Sequence, residues 1–289
     1  MTDPVELDLP VDGGTLHVLR FGTGPRTAVA AHGLSASAMS FRAVARQLPS
    51  DWSLFALDLR GRGGSDATPG RYGMDTHAAD ICAAAERWGA GAPVTLTGHS
   101  MGAYIALRAA ARRPELFDRL LLIDGGLPFH PPADIDPDDM LQATLGPAIA
   151  RLSMTYETDE AYVDFFRAHP GLGPYWSDDI EAYVRYDLTG PAGARRSRAQ
   201  EAAVMHDGRE LLTSAAAFEQ DLADLALPAH LLYAPRGLMD TEPGMNPAPM
   251  VTLWTSRVPL LTAEPVPDCN HYTILMGTPA KVVADRLAA

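Results

Sequence analysis

Cysteine and lysine are almost missing from this 289-residue chain, which has two cysteines, Cys82 and Cys269, and a single lysine, Lys281, beside 22 arginines. So few cysteines exclude a disulfide scaffold. No Cys/His cluster stands at zinc-ligand spacing, and no G-x-G-x-x-G follows a strand-like run, so neither a metal nor an organic cofactor is expected. No apolar stretch reaches the roughly 18 residues that a membrane span needs. The opening "MTDPVELDLP" lacks both a basic region and an apolar run, so no secretory signal and a cytoplasmic location are expected. Excess positive charge is also missing. The net charge of -13 repels phosphate backbones, which argues against nucleic acid as a partner. What the chain does have is 47% hydrophobic and 20% charged residues, enough for a globular core.

Apolar runs recur at regular intervals. "VELDLP" and "TLHVLRFG", joined by "VDGG", predict an antiparallel hairpin. "RTAVAAHG", "WSLFALDLRG", "APVTLTGHS" and "FDRLLLIDGG" follow, with helical patterns at 39–48, 76–88 and 101–112 between them. Strands alternating with helices in this way predict an α/β fold with a largely parallel sheet. The alternation stops after Gly126. "LPFHPPADIDPDDM" reads as an irregular entry loop, and four helical patterns follow. The expected organisation is a core domain formed by 1–126 and 214–289, with a helical insertion at 127–213. The strands "AHLLYAP" and "PLLTAEPVP" and a terminal helix complete the core.

"LTGHSMGAY" places Ser100 in a Gly-x-Ser-x-Gly motif between a strand and a helix, the signature of a nucleophile elbow. Gly98 and Gly102, lacking Cβ atoms, let neighbouring elements approach closely. The turn lifts the serine above the sheet, and the Met101 N–H, opening a helix, can donate to an oxyanion.

With this motif in place, the chain resembles the α/β-hydrolase fold family over nearly its whole length. The resemblance implies an eight-stranded, mostly parallel sheet with flanking helices and an inserted helical cap, or lid. It makes His32-Gly33-Leu34 the second oxyanion element, with the Leu34 N–H as donor. It gives "DLRGRGGSD" (58–66) a structural turn role. It also makes His99 a structural residue that points away from the site.

Serine needs a base, and the base needs an acid to fix its tautomer. In this fold the order is Ser, acid, His. His271, in "VPDCNHYTIL" after the last strand, fits the base. Two acids end strands, Asp240 in "PRGLMD" and Asp124 in "LLLID". The family's Gly-x-x-Asp pattern favours Asp240, with Asp124 as its rival. Asp268 stands too close in sequence to orient His271. Cys269 has no base placed to activate it and is read as non-catalytic.

A serine at the elbow excludes the family's dehalogenases and epoxide hydrolases, which use Asp there. The expected activity is hydrolysis of a carboxylic ester or lactone of a small to medium hydrophobic molecule through an acyl-enzyme. One alternative is a carbon–carbon bond hydrolase of the meta-cleavage-product type. Such a substrate's carboxylate needs a basic partner, and Arg185, Arg195, Arg196 and Arg198 are the candidates. The alternative of another class is a non-hydrolytic catalyst or ligand receptor. Aromatics are dense in the insertion, and Phe129, Tyr156, Phe166 and Trp176 are candidates for contact with the substrate. The sequence leaves a homodimer open.

Overall fold

A computed structural model of the protein describes residues 3–68, 71–132 and 134–289. Its strands are β1 (Val5–Val11), β2 (Gly14–Gly22), β3 (Arg26–Ala31), β4 (Trp52–Leu57), β5 (Val94–His99), β6 (Phe117–Ile123), β7 (Leu188–Thr189), β8 (Arg196–Ser197), β9 (Ala229–Tyr233) and β10 (Leu261–Pro265). Eight of them form one sheet in the order β1-β2-β4-β3-β5-β6-β9-β10. The β1–β2 hairpin is antiparallel, as is the pairing of β2 with β4. From β4 to β10 every neighbouring pair is parallel. The central strands are therefore apolar on both faces, which is why they read as continuous hydrophobic runs.

The helices are α1 (Arg42–Ala45), α2 (Met74–Trp88), α3 (Met101–Arg112), α4 (Pro137–Ala150), α5 (Asp159–Arg167), α6 (Asp178–Tyr186), α7 (Glu201–Thr213), α8 (Ala215–Ala223), α9 (Ala248–Arg257) and α10 (Gly277–Ala288). The period of two along a strand divides the core. Val29 and Ala31 of β3 face a cluster containing Ile81 of α2 and Ile105 of α3. Ala28 and Ala30 face one containing Val44 of α1 and Val283 of α10. Burying each large aliphatic side chain in these layers stabilises by about 1.5–3 kcal/mol.

Between β6 and α8 run α4 to α7 and the short antiparallel β7–β8 ribbon. Two residues per strand are too few to leave a periodic signal, so the sequence does not announce this ribbon. Thr158 and Ser177 cap α5 and α6, their hydroxyls accepting from Ala161 N at 3.0 Å and Ile180 N at 3.4 Å. Acidic residues fill both first turns, matching the helix dipole. Tyr162, Phe166, Ile180 and Val184 join the same cluster as β3 and α10. Asp179 of α6 pairs with Arg42 and Arg46 beside the sheet. This helical segment thus shares a continuous core with the sheet. Among the described residues, no helix is long and apolar enough to cross a membrane.

Candidate active site

β5 ends at His99 and α3 begins at Met101, leaving Ser100 between them with φ +56° and ψ −123°. Such a conformation costs a non-glycine residue on the order of 1–3 kcal/mol and persists only where its surroundings enforce it. Here Ser100 N donates to Ile123 O at 2.9 Å, and Ser100 O accepts from Ala103 N at 3.0 Å. A Cβ on Gly98 would stand 2.0 Å from Gly102 O, and one on Gly102 would stand 2.0 Å from Ala31 O. The elbow therefore tolerates no side chain at either position, which is the physical content of the two glycines in the motif.

His271 lies in the loop after β10 and is 4% exposed. Its Nδ1 is 2.7 Å from Asp124 Oδ2. The carboxylate accepts, so Nδ1 carries the proton and Nε2 is left as a base. Asp124 follows β6 with φ +45°. Its Oδ1 accepts from Ala234 N and from Asn246 Nδ2, both at 3.1 Å. Nothing in the sequence "GMNPAPM" marks Asn246 for this role.

The expectation that Asp240 orients His271 is corrected by this arrangement. Asp240 Oδ1 accepts from Arg236 Nε at 2.7 Å and Asn270 Nδ2 at 2.9 Å, and Oδ2 accepts from Tyr175 OH at 2.9 Å. Burial works to raise its pKa, but these three donors outweigh it and hold the group below the usual carboxylate range. Asp240 therefore fastens the residue next to His271 to the turn after β9 and does not contact the imidazole. Asn270 Oδ1 in turn accepts from Tyr272 N and Thr273 N, which fixes the backbone on either side of His271.

His99 departs from expectation only in where it lies. It borders the cavity above Ser100, and its Nε2–H donates to the His271 carbonyl at 2.8 Å. The two rings lie 4.7 Å apart. Burial, and then the neighbouring His271, push the pKa of His99 down to about 3, so it stays neutral and acts as a support.

The loop opposite the elbow is held from behind. His32 Nδ1–H donates to Gly33 O at 2.8 Å, while His32 Nε2 accepts from Leu59 N at 3.0 Å. Burial brings His32 down to about 4, consistent with that neutral tautomer. Arg62 Nε donates to Leu34 O at 3.0 Å, and Arg151 Nη2 reaches Ser35 O at 3.4 Å. Three successive carbonyls are thus claimed by side chains outside the cavity. Leu34 and Met101 both border the cavity beside Ser100. As the first residue of α3, Met101 has no acceptor for its N–H within the helix.

The cavity over Ser100 measures about 540 Å³, within the usual range for small-molecule sites. Its walls are mostly apolar, among them Leu141, Leu145, Leu211, Met245 and Met276. Among the described residues, no arginine or lysine borders it. Arg185 pairs with Glu181 and Glu160, Arg195 with Asp159, and Arg198 with Asp66, while Arg196 is exposed. Of the four expected contact aromatics, Phe129 borders the cavity. Tyr156 packs edge-on against Tyr162, Phe166 lies under Arg151, and Trp176 lies under Arg167. Those three serve the packing of the helical segment itself, because an aromatic-rich insertion needs its own core. Tyr104, Tyr183 and Tyr272 border the cavity instead. Cys269 is fully buried, its thiol donating to Val266 O, and burial raises its pKa to about 12, which leaves it unreactive.

Among known proteins, 2-(acetamidomethylene)succinate hydrolase of Mesorhizobium japonicum is 28% identical over 266 residues, covering 89% of this chain and 85% of that protein. N-formylmaleamate deformylase of Pseudomonas putida is 37% identical over 118 residues, 40% of this chain and 44% of that protein. This second match thus spans less than half of the relative's length. The solved structure of E-2-(acetamidomethylene)succinate hydrolase superposes with a TM-score of 0.79 at 23% identity, covering 99% of this chain and all of that one. A thioesterase domain from the curacin biosynthetic pathway gives 0.76 at 17% identity over the whole of both chains. The model of the alpha/beta hydrolase fold family matches residues 29–207, more than half of the sequence, and the chain belongs to that family.

Proposed function

We propose that the protein is a serine hydrolase that cleaves a carboxylic ester of a neutral, hydrophobic substrate through an acyl-enzyme. The observation that carries this is the His271–Asp124 pair at 2.7 Å, set beside a strained Ser100 in one apolar cavity that has no arginine or lysine among the described residues. Ser100 Oγ adds to the carbonyl carbon as its proton passes to His271 Nε2. Asp124 stabilises the imidazolium through the Nδ1 hydrogen bond. The Leu34 and Met101 amides receive the oxyanion, each donor being worth on the order of 3 kcal/mol. His271 returns the proton to the leaving alkoxide, and water then repeats the sequence on the acyl-enzyme.

The relatives' names supply a second candidate, hydrolysis at an amide-type bond of an acidic substrate. Its support is the match to 2-(acetamidomethylene)succinate hydrolase along 89% of this chain. Succinate and maleamate are anions, however, and burying an unpaired carboxylate is strongly unfavourable. The apolar cavity offers no cation to pair with one, which favours the neutral ester.

The experiment is a substrate panel of neutral chromogenic esters, lactones and 2-(acetamidomethylene)succinate, assayed with wild type and Ser100→Ala. Turnover of the neutral esters that Ser100→Ala abolishes is the expected outcome. Turnover of the dicarboxylate alone would replace the ester reading with the second one. Saturable binding of ligands without turnover of any would make the protein a receptor.

A further inference from the structure

The cavity above Ser100 shares two wall residues with a neighbouring surface groove. Phe129, in the segment after β6, and Met250, in α9, border the cavity. The same two side chains border the inner end of a surface groove built from Pro128, Pro249, Leu253 and Trp254. The groove is mostly apolar and open to solvent, with His130, Glu219 and Arg257 also lining it. Phe129 is 41% exposed and Leu253 43%, while Trp254 is 7% exposed and forms part of its wall. His130 pairs with Glu219 at 2.8 Å, and Arg257 lies 5.4 Å from the Trp254 ring. Large apolar side chains grouped in an open concave surface mark a binding surface.

The shared walls decide what that occupant is. A separate ligand or partner has no need of a groove whose inner end is the wall of the reaction cavity, whereas the distal part of a substrate anchored at Ser100 must leave by such a route. We infer that the groove is an extended substrate subsite, in which the distal apolar chain passes between Phe129 and Met250 and lies along Leu253 and Trp254. The natural substrate is then a long-chain ester. This rests on the reading of Ser100 as a hydrolytic nucleophile. The chain belongs to either the acyl or the alcohol half of the ester, and the test separates the two.

The test measures kcat/KM for two ester series with wild type and with Leu253→Asp, a substitution outside the cavity. One series lengthens the acyl chain on a constant alcohol, and the other lengthens the alcohol of an acetate. In the series whose chain uses the groove, kcat/KM rises about fourfold per methylene and continues to rise for the longest members. Leu253→Asp lowers those members at least tenfold and leaves acetates of short alcohols unchanged. A plateau or fall in both series at medium length overturns the subsite while leaving Ser100 as the nucleophile. An equal loss on short and long esters in Leu253→Asp overturns it as well. Absence of turnover for every ester in wild type overturns the reading of Ser100, and the subsite falls with it.

Discussion

Asp124 Oδ2 lies 2.7 Å from His271 Nδ1, and the carboxylate has less than 2% of its surface exposed. Its other oxygen is claimed by Ala234 N and Asn246, so a single orientation is enforced. Replacing Asp124 with Asn keeps the shape but lets the amide present an N–H to the imidazole, which favours the wrong tautomer. A fall of about 10⁴ in kcat is expected. The measurement is turnover of the best ester in the panel, and a loss below tenfold would remove Asp124 from the mechanism.

Asp240 gives the opposite outcome. Its partners are Arg236, Asn270 and Tyr175, so Asp240→Asn weakens an anchor of the His271 loop without touching the ring. The expected effect on kcat is less than tenfold, with a lower melting temperature from lost ionic hydrogen bonds. The direct comparison is with Asp124→Asn under identical conditions. A kcat loss near 10⁴ for Asp240→Asn would restore it as the acid.

These two aspartates also mark the limit of what the sequence conveys. The sheet, the elbow and His271 are legible because each rests on local pattern: apolar runs alternating with helices, two glycines around a serine, and a histidine in the last loop. The identity of the acid is not local. Both aspartates follow strands, and β6 and β9 are neighbours in the sheet, so order along the chain permits either. The choice is made by what else competes for each carboxylate. Arg236, four residues before Asp240, takes one oxygen of that group, whereas among the described residues Asp124 forms its ion pair with His271. The aromatic contacts fail for a similar reason. Tyr156, Phe166 and Trp176 share the composition of a pocket wall, yet they pack within the helical segment against Tyr162, Arg151 and Arg167.

Acid sensitivity follows from the buried histidines. His32 and His99 are lowered by burial to about 4 and about 3, against about 6.5 in an unfolded chain. Between pH 6.5 and 4 the unfolded state therefore binds protons that the folded state refuses. Stability is fully present above pH 6.5 and falls as the pH drops, by up to about 1.4 kcal/mol per pH unit for each group. Asp207 adds a later loss. Burial works to raise its pKa, but the hydrogen bond from His77 and the charge of Arg62 hold it at about 2, so its contribution disappears between about pH 4 and 2. Melting temperature measured from pH 8 to 4 should decline from near pH 6.5 downward. A flat profile to pH 5 would show that the two histidines are not neutral and buried as described.

Arg62 links the helical segment to the loop facing Ser100. Its guanidinium donates to Leu34 O at 3.0 Å and to Asp207 of α7 at 2.6 Å, and both side chains are fully buried. Asp207 also accepts from Gly73 N at 2.7 Å and is 3.0 Å from His77 Nε2. Removing one member leaves a buried charge unpaired, which costs about 3–5 kcal/mol. Arg62→Met and Asp207→Asn should therefore both unfold at lower temperature. Their kinetics should differ. Of the two, only Arg62 bonds to the loop that carries the Leu34 N–H, at Leu34 O, and an oxyanion donor that has moved weakens transition-state binding more than ground-state binding. Arg62→Met is expected to lose roughly tenfold to a hundredfold in kcat with KM nearly unchanged, whereas Asp207→Asn keeps kcat within about threefold of wild type at a temperature where it is folded. Equal kcat losses in the two variants would mean that the network sets stability alone and that Leu34 is positioned without Arg62.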